Sequence, residues 1–312
     1  MSTQVVQDES VRWIAESWAR PGSPRPEGPR FSFLGIPMDY AVSHRAGTRH
    51  GPAAIRAALN TYSLYCTDKR ISLAAAGLVD HGDVDVVHDL STTYANIRRA
   101  VAEIDPGDTV VCLGGDHSIA DPIVRGLQDR LGHRRLGVIV FDAHFDARPP
   151  VPGKEHSGHW MKTLEDVIDY GSAVQLGISA PIYSEAYAAD AEQKGVLVLT
   201  PYEIRRAGWR ETIARSIAHA TRNTGGVYIS VDIDAIYQSH APGTSVPNPA
   251  GLLPHEVMDG VFEIALSAPT VGIDVNEVSP PLDTQDFTAH VAAHVVLNFM
   301  AGVVARRSGR NR

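Results

Sequence analysis

The sequence predicts an α/β protein in which helices cover both faces of a mostly parallel sheet. Two observations lead to this prediction: short apolar runs alternate with helical patterns, and the runs are almost continuously apolar. Continuous apolar runs are typical of strands buried on both faces. Strand–helix alternation is typical of a parallel sheet. Because no break in composition divides residues 31–305, we expect one domain there.

The elements follow one another in a regular order. The predicted strands are the apolar runs Phe31–Leu34, Thr109–Leu113, Leu136–Phe141, Val174–Ile178, Val196–Leu199, Val227–Val231 and Val271–Val275. The predicted helices are the segments Pro52–Leu59, Thr93–Glu103, Ser118–Gln128, Pro201–Ala220, Pro254–Leu266 and Thr288–Arg306. Residues 1–30 are expected to be an extended arm, since four prolines and two glycines lie among residues 21–29. Residues 306–312 are expected to be a solvated basic tail.

The composition excludes several classes of protein. Of the 312 residues, 44% are hydrophobic and 21% are charged, so the chain buries a sizeable core and is not disordered or fibrous. The net charge of −8 speaks against a general nucleic-acid partner. Two cysteines build no disulfide framework. With no signal peptide or membrane span visible, the sequence predicts a soluble cytoplasmic protein with no membrane partner.

Polar side chains follow four of the predicted strands, where ligands bind in open α/β sheets. They stand in the segments Gly114–Ser118, Asp142–Asp146, Asp232–Asp234 and Asn276-Glu277. Residues two apart on an extended segment point to one side, so the alternating acids and histidines converge. After a single strand such residues are usually turn formers or helix caps. Four strand ends together favour a binding site.

The clustered acids indicate two metal ions. Carboxylates packed at one sheet edge repel one another unless cations balance them, and two divalent ions supply that charge. The alternative is an acidic, solvated edge without metal. Four Asp and two His with no Cys suit Mn²⁺ over Zn²⁺ or Cu, and leave Ni²⁺, Co²⁺ and Fe²⁺ open.

Three motifs resemble the metal-binding motifs of the ureohydrolase family, which includes arginase, agmatinase, guanidinobutyrase and formimidoylglutamase. They are Gly-Gly-Asp-His-Ser (114–118), Asp-Ala-His-Phe-Asp (142–146) and Ser-Val-Asp-Ile-Asp (230–234). The resemblance implies an arginase-like three-layer α/β/α fold, two Mn²⁺ per subunit, and hydrolysis of a guanidino or formimino C–N bond. It also implies a homotrimer or homohexamer and makes residues 31–305 the catalytic domain. The implied metal ligands are His117, Asp142, His144, Asp146, Asp232 and Asp234.

The remaining roles rest on chemistry and on departures from the family pattern. Asp146 is expected to accept a hydrogen bond from the attacking water, and Glu277 to pair with the cationic end of the substrate. The usual shuttle His-Gly pair is replaced by Ser157-Gly158, flanked by His156 and His159, so either histidine or neither carries protons. Ser157 is expected to contact the substrate. Val246 stands where the Thr-Gly-Thr-Pro pattern has its second Thr.

Arg148 decides the expected substrate. Arginase has Asn at this position, whereas the sequence here is similar to formimidoylglutamases. An Arg at the mouth of the site is suited to a substrate carboxylate, so we expect formimidoylglutamate or a guanidino acid, then agmatine, then arginine. The structural alternative is an Arg that pairs with a neighbouring acidic loop. Two other classes stay open: a catalytically quiet subunit, and a deacetylase-like enzyme, which a mononuclear His-rich site would indicate.

Overall fold

The computed structural model describes residues 8–151 and 153–309, and nine parallel strands form its central sheet. The strands are β1 (Trp18–Ala19), β2 (Arg30–Gly35), β3 (Tyr65–Cys66), β4 (Ile71–Ser72), β5 (Gly77–Asp83), β6 (Thr109–Leu113), β7 (Leu136–Phe141), β8 (Ala173–Leu176), β9 (Leu197–Leu199), β10 (Gly226–Asp232) and β11 (Thr270–Asn276). Their order across the sheet is β1-β5-β2-β6-β11-β10-β7-β8-β9. The short strands β3 and β4 form a separate antiparallel pair.

Helices cover both faces of this sheet, so the predicted three-layer fold is confirmed. They are α1 (Gly51–Leu59), α2 (Leu90–Ala102), α3 (Ala120–Arg130), α4 (Trp160–Thr163), α5 (Glu185–Gln193), α6 (Pro201–Ala207), α7 (Trp209–Ala220), α8 (Pro254–Ser267) and α9 (Phe287–Arg307). Alternate side chains of each strand enter two separate cores. In β6, Val111 and Leu113 pack with α1, α8 and α9, while Val110 and Cys112 pack with α2 and α3.

Besides the short segments β1, β3, β4 and α4, which were not predicted, three longer elements differ from the sequence prediction. Strand β5 was not expected, because its second half, Asp80–Asp83, is polar and hides the buried start of the strand. Helix α5 was not expected either, since Ala191 is its only buried residue and it lacks a clear apolar face. The predicted helix 201–220 is two helices, which meet at Gly208 with a backbone φ of 86°. A residue with positive φ cannot continue a right-handed helix.

The N-terminal segment is attached to the folded body. Trp18 of β1 pairs in parallel with Leu78 of β5, and the Ile14 side chain is only 1% exposed. Part of the predicted arm therefore forms an edge of the sheet, while the boundary at residue 30 stays a prediction. Residues 310–312 of the predicted tail lie outside the described residues.

Helix α9 is the long apolar element of the chain. By length and composition alone it is long and apolar enough to cross a membrane, with a mean hydropathy of 1.6 over an 18-residue window. However, 78% of that window is buried inside the protein, where α9 packs against α8 and α1. Its apolar character is therefore that of a core helix, and its packing behind β11 supports the sheet edge described next.

Candidate metal centre

Four neighbouring strands bring the candidate ligands to one edge of the sheet. Strands β6, β11, β10 and β7 lie side by side, and their carboxyl ends carry the polar motifs. His117 follows β6, Asp142 follows β7, Asp232 ends β10, and Glu277 follows β11. All six predicted metal ligands are buried there. The sheet order thus places segments that are up to 160 residues apart in the chain within a few ångströms of one another.

Five of the six side chains form two groups that share the Asp142 carboxylate. In the first group, His117 Nδ1 lies 3.2 Å from Asp142 Oδ2 and 3.2 Å from Asp232 Oδ2. In the second, His144 Nδ1 lies 3.4 Å from Asp142 Oδ1 and 3.1 Å from Asp234 Oδ2. Asp142 therefore gives one oxygen to each group, which is the arrangement of a bridging ligand between two cations.

Asp146 adjoins the first group. Its Oδ2 atom lies 3.3 Å from His117 Nδ1 and accepts a hydrogen bond of 3.0 Å from the Trp160 indole. Its backbone φ of 46° is in the left-handed region, which non-glycine residues adopt at a cost of about 1–3 kcal/mol. Trp160 lies outside the three sequence motifs and was not predicted as a site residue. The strained backbone and the indole contact together hold the Asp146 carboxylate at the edge of the two groups.

The donor atoms fit divalent cations. His117 Nδ1 and Asp142 Oδ2 are buried and have no hydrogen-bond partner among the described residues. Burial and the neighbouring Asp234 and Asp142 raise the pKa of Asp232 well above its usual range. Burial lowers the pKa of His144, but Asp234 and Asp142 outweigh it and raise that pKa to about 12. These carboxylates therefore require positive charge among them, which protons or metal ions supply.

A buried relay sets the orientation of the His117 ring. His117 Nε2 lies 2.8 Å from Ser230 Oγ, which itself donates a hydrogen bond of 2.6 Å to Asp274. Because the Ser230 hydrogen points at Asp274, the histidine Nε2–H must be the donor to Ser230. The Nδ1 lone pair then faces the first group, as metal binding requires. Neither Ser230 nor Asp274 was predicted as a functional residue, although Ser230 continues the alternation of Asp232 and Asp234 back along β10.

Glu277 is fixed beside the first group. Its Oε1 accepts a hydrogen bond of 2.9 Å from the His117 backbone N–H, and its Oε2 accepts one from the Ser245 hydroxyl. Burial, reinforced by the nearby Asp116, raises the pKa of Glu277 to about 8. The Arg45 side chain donates to the carbonyls of Thr244 and Ser245 and holds this loop in place. Ser245 stands where the family pattern has Gly, so its hydroxyl was not foreseen.

A cleft opens over the two groups, and all but one of the remaining predicted residues line it. Its lining includes Asp146, Arg148, His156, Ser157, Glu277 and Val246. His159 is 6% exposed and is not among the side chains of the described residues that line the cleft, although its ring centre lies 3.6 Å from that of His156. Burial and the Arg148 charge lower the pKa of His156. Ser157 Oγ lies 2.9 Å from Ser43 Oγ at the wall of the cleft.

Arg148 stands in the cleft without an acidic partner. Among residues 8–151 and 153–309, no carboxylate oxygen lies within 4.0 Å of its guanidinium. Its carbon Cζ lies 5.4 Å from the centre of the Tyr183 ring. The described part of the chain therefore does not support the alternative that Arg148 pairs with a neighbouring acidic loop.

Comparisons with known proteins agree with this geometry. The profile of the arginase family matches residues 29–302. The formimidoylglutamase of Halalkalibacterium halodurans is 31% identical over 288 residues, which cover 89% of each chain. The guanidinobutyrase of Pseudomonas aeruginosa is 30% identical over 291 residues, covering 88% of each chain. The crystal structure of formimidoylglutamase from Bacillus subtilis superimposes with a TM-score of 0.89 at 30% identity, covering 97% of this chain and 95% of that one.

Proposed function

This chain belongs to the arginase family, and we propose that it hydrolyses the formimino group of formimidoylglutamate with two Mn²⁺ ions. It is a hydrolase of C–N bonds in linear amidines, like the formimidoylglutamase and guanidinobutyrase that it resembles. In the proposed reaction, water and formimidoylglutamate give formamide and glutamate. The observation that carries the choice of substrate is the Arg148 guanidinium, which faces the cleft without an acidic partner among the described residues.

The metal ions are assigned to the two groups that share Asp142. His117, Asp142, Asp146 and Asp232 would hold one ion, and Asp142, His144 and Asp234 the other. Oxygen-rich sites with some nitrogen and no sulfur favour Mn²⁺. Two such ions supply Lewis acidity, which lowers the pKa of a water molecule in the site towards neutrality.

The other side chains handle protons and the substrate. Asp146 takes a proton from the attacking water and passes it towards the leaving amine, and the Trp160 indole keeps the Asp146 carboxylate in position. Glu277, whose pKa burial raises to about 8, pairs with the cationic amidine as a carboxylate, because the positive charge of the substrate favours its ionised form. His156, which lines the cleft, is better placed than His159 to carry a proton to solvent.

The charge of Arg148 separates the candidate substrates. Its fork of N–H donors pairs with the carboxylate of formimidoylglutamate. The same contact would bind the carboxylate of 4-guanidinobutyrate. A guanidino acid hydrolase is therefore the second candidate function. Agmatine carries an ammonium group at its far end, which the Arg148 charge repels. Arginine carries an α-ammonium group beside its carboxylate, so we place it, like agmatine, behind the acids. The cytoplasmic location and the homotrimer or homohexamer stay predictions.

A product assay tests the proposal. The Mn²⁺-loaded protein is offered formimidoylglutamate, 4-guanidinobutyrate, agmatine and arginine, and formamide, urea and the amine products are measured. We expect formamide from formimidoylglutamate at the highest kcat/KM. A higher kcat/KM for agmatine contradicts the acid preference. No turnover of any substrate at two bound Mn²⁺ per chain would instead identify a catalytically quiet subunit.

A further inference from the structure

We infer that Tyr183 is a positioning residue that sets the preference for acidic substrates by holding the Arg148 guanidinium. The inference rests on the proposed function, since it requires that Arg148 bind a substrate carboxylate. It adds a second side chain, 35 positions further along the chain, to the determinants of substrate choice. Tyr183 belongs to none of the sequence motifs, and its role follows from packing alone.

The first observation is the contact between the two side chains. Arg148 Cζ lies 5.4 Å from the centre of the Tyr183 ring, within the distance at which a cation is attracted to an aromatic face. The Arg148 backbone is fixed nearby, because its N–H donates a hydrogen bond of 3.0 Å to the Gly158 carbonyl. The long Arg side chain otherwise retains rotational freedom, which it must lose to bind a substrate. The ring reduces that loss before the substrate arrives.

The second observation is that the Tyr183 ring is itself held. It makes edge-to-face contacts with Phe145, at 5.3 Å and 89°, and with Tyr187 of α5, at 4.9 Å and 61°. It also faces the His144 ring at 6.3 Å. Phe145 lies between the proposed metal ligands His144 and Asp146 in the chain. The aromatic cluster therefore ties the position of Arg148 to the segment that carries the proposed metal ligands His144 and Asp146.

The third point is chemical. A carboxylate partner would orient Arg148 too, but it would neutralise the charge and occupy the N–H donors that a substrate needs. An aromatic face attracts the guanidinium and accepts none of its in-plane hydrogen bonds, so the fork stays free for a carboxylate. Tyr183 thus orients the anchor without competing with the substrate.

The test compares changes at Tyr183, which precedes α5, with a matched change at Tyr187 in the first turn of α5. In Tyr183→Leu the ring is lost and most of the apolar bulk stays, whereas Tyr183→Phe keeps the ring. Tyr187→Leu is the control, because Tyr187 packs in the same cluster but has no contact with Arg148 among the described aromatic and cation contacts. Each Mn²⁺-loaded variant is assayed with 4-guanidinobutyrate and agmatine at equal metal content, and the ratio of the two kcat/KM values is compared.

We expect Tyr183→Leu to lower the ratio of 4-guanidinobutyrate to agmatine about two- to fivefold, mainly through a higher KM for the acid. Tyr183→Phe should keep most of the wild-type ratio, and Tyr187→Leu should lower it less than Tyr183→Leu does, because Phe145 still contacts the Tyr183 ring. In an Arg148→Ala background, Tyr183→Leu should have no further effect on the ratio, because the two residues act through one contact.

The possible failures are distinguishable. Equal losses in Tyr183→Leu and Tyr187→Leu, or an undiminished effect of Tyr183→Leu in the Arg148→Ala background, overturn the positioning role. An unchanged ratio in Arg148→Ala alone removes the carboxylate anchor, and with it the acid preference in the proposed function. A fall in Arg148→Ala with no change in Tyr183→Leu leaves the proposed function standing and refutes only the role of Tyr183.

Discussion

Asp142 is the side chain that the two proposed metal groups share, and its replacement by Asn is the sharpest test of the site. The Asp142 Oδ1 atom accepts a hydrogen bond of 2.6 Å from the His144 backbone N–H. In Asp142→Asn the amide oxygen is expected to keep that bond, since only an oxygen can accept it. The amide NH₂ then replaces Oδ2 beside His117, and the first group receives a donor where it needs an anionic ligand.

The expected loss is therefore unequal between the two groups. The first group should lose its ion, while the second keeps a neutral oxygen ligand and binds more weakly. Removal of one dication forfeits several kcal/mol of transition-state stabilisation, so kcat/KM should fall by about a thousandfold or more. Thermal stability gives a second measure. For 312 residues, a ligand at about 100 times its Kd raises Tm by about 4 °C per site, from about 2.7 kcal/mol of linkage.

The assay combines metal analysis after dialysis with thermal unfolding at increasing Mn²⁺. Wild type should retain two ions per chain and show the full rise in Tm, and Asp142→Asn should retain at most one and show less than half of the rise. Asp129→Asn, which removes a carboxylate paired with Arg98 away from the site, is the matched control and should behave as wild type. Two ions per chain together with normal turnover in Asp142→Asn would refute the bridging role.

Three further predictions concern residues and charges that hold the candidate ligands and the neighbouring loops in place. Ser230→Ala removes the acceptor that fixes the His117 ring, and Mn²⁺ titration should show a loss of about 10- to 100-fold in affinity; unchanged affinity contradicts the relay. Carboxylates raise the pKa values of His117 and His144, so protons compete with the metal, and Mn²⁺ affinity should fall as pH falls. Calorimetry in two buffers of different ionisation enthalpy should detect the released protons, and equal heats in both would speak against this competition. Gly47→Ala should lower the free energy of unfolding by at least about 1–3 kcal/mol, because Gly47 has a φ of 136° and an added Cβ would overlap Ser279 Oγ. Denaturant titration measures this change, and wild-type stability of the variant contradicts the expected strain.

Much of the fold was predictable because its strands are buried on both faces. The apolar run 109–113 identifies β6 without ambiguity, and the same holds for 136–141 and β7. Strand β5 was not predicted, because its second half is polar and its stability comes from hydrogen bonds with β1 and β2. The helix break at Gly208 was not predicted either, since an isolated Gly within a helical pattern is often tolerated.

The candidate ligands were predictable for a different reason. The alternation of Asp142, His144 and Asp146 is local and directly follows an apolar strand, which marks the three as candidate ligands. The segment itself bends after β7, and Asp146 has a φ of 46°, so the way in which the three converge is not that of an extended strand. Strand ends in a parallel sheet also share one edge, so the motifs identified both the chemistry and its place in the fold.

Only the tertiary structure decided which side chains contact the candidate ligands and the cleft residues. The contacts of Ser230 with Asp274, of Ser245 with Glu277 and of Arg148 with Tyr183 join side chains 44, 32 and 35 positions apart. Such pairs depend on the order of strands and on the packing of loops, which local periodicity does not determine. The sequence by itself therefore determined the fold class and the set of candidate metal ligands, since both follow from local spacing. The lining of the cleft by His156, the ring tautomer of His117 and the aromatic support of Arg148 were decided by long-range packing, because each depends on a neighbour from another segment.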